Sequence, residues 1–388
     1  MRVIVFYIAA LLLFTLPVLL IAEFTLRYLL HQGDAARRAR FEHARSYMVS
    51  DPQIGLVQSR NFRFRLEWPE SRHGHILYRT NNLGFREDAD TTGQKAPGTL
   101  RVLVFGDSHT DGVVHNPDSF ANLSEALLRQ KGIAAEVINA GVGMFSLYQQ
   151  QLLFERHRNL EPDAAVFVQY AGNDYEEILS GTDKARLRLE SDGSVTKIPP
   201  GDSYLNLIQG VRFEDMPAPY GPEMLSSSSL VLHRIKQLPA IFRPVTLEQT
   251  KARYRDILSQ DIAQAAFFAR EPERFAEAAA LHRYVLKNLR SQARTLPVLL
   301  VLLPTRYQLE PASARKRFAH LELIFGLNAK QKRSDLVLED MRMAARASGL
   351  QWLDLFAPLR EARSASDADL YYYSDHHLNE RGHAVVAD

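Results

Sequence analysis

The stretch "RVLVFGDSHTDG", Arg101 to Gly112, decides the fold. An apolar, β-branched run ends abruptly in Gly-Asp-Ser. The run reads as a buried strand, and Gly, Asp and Ser are ordinary turn residues. The open question is whether Ser108 is a nucleophile or only part of the turn. The tripeptide recurs at Gly201-Asp202-Ser203, so its letters alone decide nothing.

Outward from this stretch, strands and helices alternate. Leu100–Phe105 is the first strand, and Asp118–Gln130 carries a helical pattern stopped by Gly132. "AEVINAG" (135–141) reads as a second strand and Leu147–Asn159 as a second helix. "AAVFVQYAG" (164–172) is a third strand, and "PVLLVLLP" (297–304) and "LQWLDLF" (350–356) add two more. Near-continuous apolar strands separated by helices predict a parallel sheet covered on both faces, an α/β fold.

About 120 residues separate the third and fourth strands, far more than a usual crossover. "RLRLESDGSVTKI" (186–198) reads as a hairpin around Asp192-Gly193. Ser203–Pro244 is mixed and rich in Pro and Ser, and Thr246–Ala269 and Pro272–Ala293 are helical. A mostly helical insertion at about 180–295 is therefore expected over the carboxyl edge of the sheet, as a lid or substrate-binding subdomain or as a plain elaboration.

Before the sheet, Val3–Ala22 holds twenty residues without a charge. As a helix that stretch spans roughly 30 Å, the thickness of a bilayer core. Ile21-Ala22-Glu23-Phe24 makes a poor cleavage site, so an uncleaved transmembrane helix is expected in 1–30. Residues 31–98 read as a juxtamembrane helix and an N-terminal extension. "FRFRLEW" (62–68) alternates like a strand, "NNLGFR" (81–86) is a turn followed by extended chain, and 88–98 is a polar linker. The main domain is expected over 99–388. Arg27, Arg37, Arg38 and Arg40 follow the span and only Arg2 precedes it, which leans towards a cytoplasmic domain. The last helix begins at Asn379 and stops at Asp388, as in a truncated domain.

Composition narrows the chemistry. There are no cysteines, which excludes disulfides, thiolate metal sites and a Cys nucleophile. A net charge of +2, with the basic residues spread out, gives no reason to expect nucleic acid as a partner.

Ligands of open α/β sheets bind beyond the carboxyl ends of the strands. At those ends stand Gly106-Asp107-Ser108, then "NAGVGMFS" with Gly141 and Gly143, then Gly172-Asn173-Asp174. The late segment "YYYSDHHLNERGH" adds Asp375, His376, His377 and His383. Ester hydrolysis needs such parts. A serine hydroxyl requires a positioned base, His serves near neutral pH, a carboxylate orients the His, and fixed amides hold the oxyanion.

On these residues, the sequence resembles the SGNH hydrolase superfamily of GDSL-type esterases and lipases. The resemblance covers roughly Tyr78–Asp388 and rests on the linked set rather than on the tripeptide. It implies a three-layer α/β/α sandwich with a flavodoxin-like parallel five-stranded sheet, and ester hydrolysis or acyl transfer with no cofactor or metal. It assigns Ser108 as nucleophile, Ser108, Gly143 and Asn173 as oxyanion donors, His377 as base and Asp375 as its partner. Two departures stand out. Ala171 replaces the first Gly of the usual Gly-x-Asn-Asp. Asp375-His376-His377 is one residue shorter than the usual Asp-x-x-His, with Ser374 at the usual Asp position. Alginate-acetylating relatives share the short spacing. His377 precedes Leu-Asn-x-x-Gly as the family His does, and His376 is the alternative.

The remaining candidates have plainer readings. Asp107 and Asp174 read as turn or helix-start residues, Gly141 as a tight turn, and His383 as part of the last helix. Tyr371, Tyr372 and Tyr373 either line a sugar site or form a half-buried strand. Arg306, just past the fourth strand, is a candidate for binding an anionic substrate.

The expected activity is a serine-dependent ester hydrolase acting on an acylated small molecule or polysaccharide. The alternatives are an O-acetyltransferase of a cell-surface or exported polysaccharide and a non-catalytic membrane-anchored binding protein. Relatives with this layout work outside the cytoplasmic membrane. The expectation taken is therefore a single-pass membrane protein with a periplasmic domain, against the arginine count.

Overall fold

The computed structural model describes residues 46–180, 184–201, 271–293, 296–309, 336–366, 368–372 and 375–388, with Ile21, Glu23, Thr25 and Phe268. The predicted membrane span, apart from Ile21, lies outside the described residues. So do Ser203–Pro244, Thr246–Ala269 apart from Phe268, the second Gly-Asp-Ser beyond Gly201, Tyr373 and Ser374. Among the described residues, no helix is long and apolar enough to cross a membrane. The chain divides into one unit of Met1–Ser46 with Asn206–Gln249 and another of Tyr47–Leu205 with Thr250–Asp388. In the first, Ile21, Glu23 and Thr25 are helical and Ser46 lies in a turn. The second unit carries all that follows.

It opens with two small antiparallel pairs, β1 (Met48–Asp51) with β2 (Gly55–Gln58) and β3 (Arg63–Glu67) with β4 (His75–Arg79). Then come β5 (Leu100–Phe105), α1 (Ser108–Asp111), α2 (Phe120–Gln130), β6 (Ala135–Asn139), α3 (Leu147–Arg156), β7 (Ala164–Tyr170) and α4 (Asp174–Leu179). A third antiparallel pair, β8 (Arg186–Leu189) and β9 (Val195–Ile198), is the hairpin expected around Gly193. The chain continues through α5 (Pro272–Gln292), β10 (Val298–Leu303), α6 (Arg306–Leu309), α7 (Leu336–Ser348), β11 (Gln351–Asp354), α8 (Phe356–Ser364) and α9 (Glu380–Ala387).

The central sheet has the order β11-β10-β7-β5-β6, and every pairing is parallel. Numbered by appearance, its strands run 2-1-3-4-5, the flavodoxin order. The expected α/β sandwich is therefore present. The pleat divides its core. Leu103, Phe105, Phe167, Leu300 and Leu302 join Phe154 of α3, Leu281 and Leu289 of α5 and Met341 of α7. Val104, Val168, Val301 and Leu303 face the other way, with Phe120 of α2, Leu359 of α8 and Leu378 before α9. This alternation follows the two-residue period of a strand, and burying both faces accounts for the near-continuous apolar runs. Edge strand β6 is closed to further pairing, because Glu125 and Glu87 accept hydrogen bonds from the outward N–H groups of Val137 and Asn139.

Two features show how the flanking segments meet the sheet. The segment 47–98 does not stand apart from the sheet. Arg86 N–H donates to Asn139 O of β6 at 3.0 Å, and Gln58 Nε2 donates to Gly141 O at 3.1 Å. A chain folds into one domain where its apolar and polar groups find partners, and those of this extension lie on the sheet's carboxyl edge. In the insertion, for which a lid and a plain elaboration were both open, the described helix α5 fits the elaboration. It buries Ala278, Leu281, Val285 and Leu289 and packs on α3, α4 and α7, as a covering helix of the sandwich does.

Candidate active site

The site lies at the topological switch point, where β5 and β7 are neighbours but their connections leave in opposite directions. Open sheets bind ligands at that crevice. β5 delivers Gly106-Asp107-Ser108 to it. The fully buried Asp107 caps α1 by accepting from His109 N–H at 2.9 Å. A carboxylate is a strong helix cap, so Asp107 has the turn-forming role expected of it. Burial pushes its carboxyl up to about 7, against the pull of that hydrogen bond. Asp174 begins α4 and accepts from Tyr170 N–H at 3.0 Å. Burial, with Asp107 adding to it, holds Asp174 well above the usual carboxylate range.

His377 arrives from the far end of the chain on a narrow clasp. Tyr371 and Leu378 form an antiparallel bridge, Tyr372 N–H donates to His377 O at 3.0 Å, and Asn379 N–H donates to Leu370 O at 3.0 Å. His377 Nε2 lies 2.8 Å from Ser108 Oγ, and His377 Nδ1 bonds Asp375 Oδ1. Asp375 Oδ1 also accepts from His377 N–H at 2.9 Å. Burial opposes the charge on Asp375, but its hydrogen bond to His377 and that ring's charge outweigh it and bring the carboxyl down to about 2. An ionised carboxylate can only accept, so Nδ1 carries the proton and Nε2 is left to accept from Ser108. Burial also disfavours the imidazolium, yet the Asp375 hydrogen bond and charge raise His377 above its ordinary value. A ring in this state can take a proton from Ser108 and hold it.

His376 lies apart from this line. Its Nδ1 is 3.7 Å from Asp375 Oδ1, and burial holds its ring down to about 4. Of the two histidines, the structure brings His377 to Ser108. His383 belongs to α9, where its Nδ1 accepts from Phe120 N–H at 3.1 Å and its ring stacks on Phe120.

Two loops supply the oxyanion side. A Cβ built on Gly143 would stand 3.7 Å from Ser108 Cβ, so this loop runs beside the hydroxyl. Asn173 follows β7 at the N-cap of α4 but makes no capping bond, and its Oδ1 is buried without a partner among the described residues. The side chain is thus not spent on its own helix. Gly141 owes its identity to packing, because a Cβ there would meet Asp111 N at 2.3 Å and Thr110 C at 2.5 Å. Both are backbone atoms of the turn that carries Ser108. Gly141→Ala should therefore cost about 1–3 kcal/mol of stability and lower kcat by displacing that turn. Gly143→Ala, with only ordinary contact, should fold like the parent. Denaturant midpoints of the two variants measure the difference.

Three supports were not legible in the sequence. Arg86 is fully buried beneath α1 and donates to Asp111 Oδ1 at 3.0 Å, Gly112 O at 3.1 Å, Val114 O at 2.8 Å and Asn116 Oδ1 at 2.9 Å. Tyr47 O–H donates to Asp111 at 2.7 Å. Lys184, also buried, donates to Met144 O and pairs with Glu177, which pins the Gly143 loop where Met144 holds a φ of 66°.

Arg306 is corrected. Its guanidinium is buried, donates to Tyr372 O at 2.9 Å and lies 3.4 Å from Asp369. Among the described residues it braces the clasp behind His377. Tyr371 and Tyr372 are buried too, donating to Pro304 O at 2.5 Å and Val113 O at 3.0 Å.

No family model matches this chain, and no curated protein matches it. Solved structures overlap it loosely. An acetyl xylan esterase, AlAXEase, is 16% identical, with a TM-score of 0.35, over 74% of this chain and 96% of that one. LAE5, an alpha/beta hydrolase enzyme from the metagenome of Lake Arreo, Spain, is 14% identical, with a TM-score of 0.34, over 74% and 91%. Axe2, an acetylxylan esterase from Geobacillus stearothermophilus, is 11% identical, with a TM-score of 0.35, over 74% and 90%. Overlaps this loose carry no argument about function, which rests on the site.

Proposed function

We propose that this protein is a serine-dependent ester hydrolase. The observation that carries the reading is the hydrogen-bonded line from Asp375 through His377 to Ser108. Ser108 Oγ attacks the ester carbonyl while His377 Nε2 takes its proton. The Ser108 and Gly143 amides and the Asn173 side chain meet the negative charge that develops on the carbonyl oxygen. His377 then hands its proton to the leaving alcohol, and the acyl group stays on Ser108. Water, activated by the same imidazole, releases the acid and restores the hydroxyl. Asp375 stays ionised throughout and steadies the imidazolium.

No observation favours a sugar hydroxyl over water as the acceptor, so hydrolysis is the reading taken. Burst kinetics test it. With p-nitrophenyl acetate, one equivalent of nitrophenol per chain should appear before the slower steady rate, and acetate should form at that steady rate. A linear onset with no trapped acyl-enzyme would count against a covalent route. An added oligosaccharide that diverts acetate into an acetyl sugar would replace hydrolysis by transfer.

A further inference from the structure

His109 follows Ser108 in α1, and the proposed reaction does not use it. The residue is fully buried, and neither ring nitrogen has a hydrogen-bond partner among the described residues. A neutral imidazole carries one donor and one acceptor. Leaving either unmet in a dry site is destabilising. A native protein that tolerates this calls for an explanation. The His109 ring centroid lies 3.8 Å from that of Tyr170, 4.9 Å from that of His377 and 5.9 Å from that of His376. The His376 and His377 centroids are 4.3 Å apart.

One nitrogen from each of these three histidines lies within 4.8 Å of the other two. Imidazole nitrogens bound to one zinc ion at about 2.0–2.1 Å stand roughly 3.3 Å apart. Ring rotations have to close the difference, and His376 has the most exposed ring of the three. His377 is already set as a ligand. Asp375 holds its Nδ1 and leaves the Nε2 lone pair directed away, the carboxylate–histidine arrangement that orients rings in metal sites. Ser108 Oγ, 2.8 Å from that nitrogen, holds the same lone pair and has to swing aside for the ion to enter.

We propose that His109, His376 and His377 form a binding site for a divalent transition-metal ion of the zinc class, and that its occupation shuts off the esterase. The ion takes the His377 lone pair that Ser108 needs. Metal binding stands on the three rings. The inhibition rests on the reading of His377 as the base.

A second histidine group competes as an explanation for any zinc uptake. His73, His75 and His115 lie close together, and one nitrogen of each ring is engaged. His115 Nε2 is 3.0 Å from His75 O, His75 Nδ1 is 2.9 Å from His73 O, and His73 Nε2 is 3.1 Å from Asp118. Among the described residues, the nitrogens of His109, His376 and His377 are the ones that gather within 4.8 Å of one another.

The test is equilibrium dialysis of the full chain against zinc chloride, with p-nitrophenyl acetate hydrolysis followed in parallel. One ion per chain should be lost, with at least a tenfold weaker affinity, in His376→Gln and in His109→Phe, which keeps an aromatic ring against Tyr170. The ion should be retained in Ser108→Ala and His115→Gln. Zinc should inhibit the parent, EDTA should restore it, and His376→Gln, measured against its own rate without zinc, should be at least tenfold less sensitive to zinc. If His109→Phe does not fold, His376→Gln alone decides. Absence of zinc binding in the parent, unchanged binding in His376→Gln, or loss of the ion in His115→Gln would overturn the site. Zinc bound and lost as expected, in a chain that hydrolyses nothing, would keep the site and remove the esterase reading.

Discussion

Replacing Ser108 by alanine lowers kcat/KM for a small acetyl ester by about 10⁵–10⁶-fold, as does replacing His377 by alanine. Each tenfold is about 1.4 kcal/mol of barrier, so either change removes roughly 7–8 kcal/mol of transition-state stabilisation. The double variant should be little worse than either single one, because the hydroxyl and the imidazole act as one unit. What remains comes from the amides facing the oxyanion. The contrast that makes this prediction specific is His376. Its ring lies beside His377, yet Ser108 Oγ is 2.8 Å from His377 Nε2, and His377 also holds the shared carboxylate. His376→Ala should therefore stay within about tenfold of the parent. Steady-state kinetics on the four variants, with folding checked by circular dichroism, measure the set. A catastrophic loss in His376→Ala with a mild one in His377→Ala would exchange their roles.

The second large effect falls on stability. Arg86→Met removes a buried guanidinium that ties Asp111, Gly112, Val114 and Asn116 together. Asp111 then stays buried with the Tyr47 hydroxyl and no opposing charge. Breaking a buried pair on one side costs about 3–5 kcal/mol, a large share of the roughly 5–15 kcal/mol that holds a domain together. Arg86→Lys keeps the charge but not the planar fork that reaches several acceptors at once, so it should recover part of the loss. Chemical denaturation gives the midpoints. The protein that remains folded should also turn over more slowly, because the carbonyls Arg86 anchors belong to the turn that carries Ser108. A wild-type midpoint in Arg86→Met would show that the extension does not support the site.

The comparison between sequence and structure follows from where each kind of signal resides. Leu100–Phe105, Ala164–Tyr170 and Val298–Leu303 are buried on both faces, so their apolar runs announce a parallel sheet without tertiary knowledge. Ser108, Gly143 and Asn173 stand at strand ends, and strand order alone sends them to one edge. Arg86 and Lys184 carry no such mark. Each lies in irregular chain, and each reaches a partner tens of residues distant, Asp111 for Arg86 and Met144 for Lys184. Arg306 shows the converse error. Its position past β10 was legible, but the burial of its guanidinium against Tyr372 and Asp369 was not. A place on the rim does not set the direction of a side chain. The helix α5 was legible as a helix, while its role in covering the sheet depended on the α3 and α7 faces it meets.

Labelling with a fluorophosphonate tests the central claim most directly. This reagent phosphonylates a serine only where a neighbouring base activates the hydroxyl. Intact-mass and peptide mapping should find one adduct per chain, on the peptide that holds Ser108, absent from Ser108→Ala and much slower to form in His377→Ala. A chain that hydrolyses p-nitrophenyl acetate but takes the adduct on another serine, such as Ser203 of the second Gly-Asp-Ser, or takes none at all, would contradict the account.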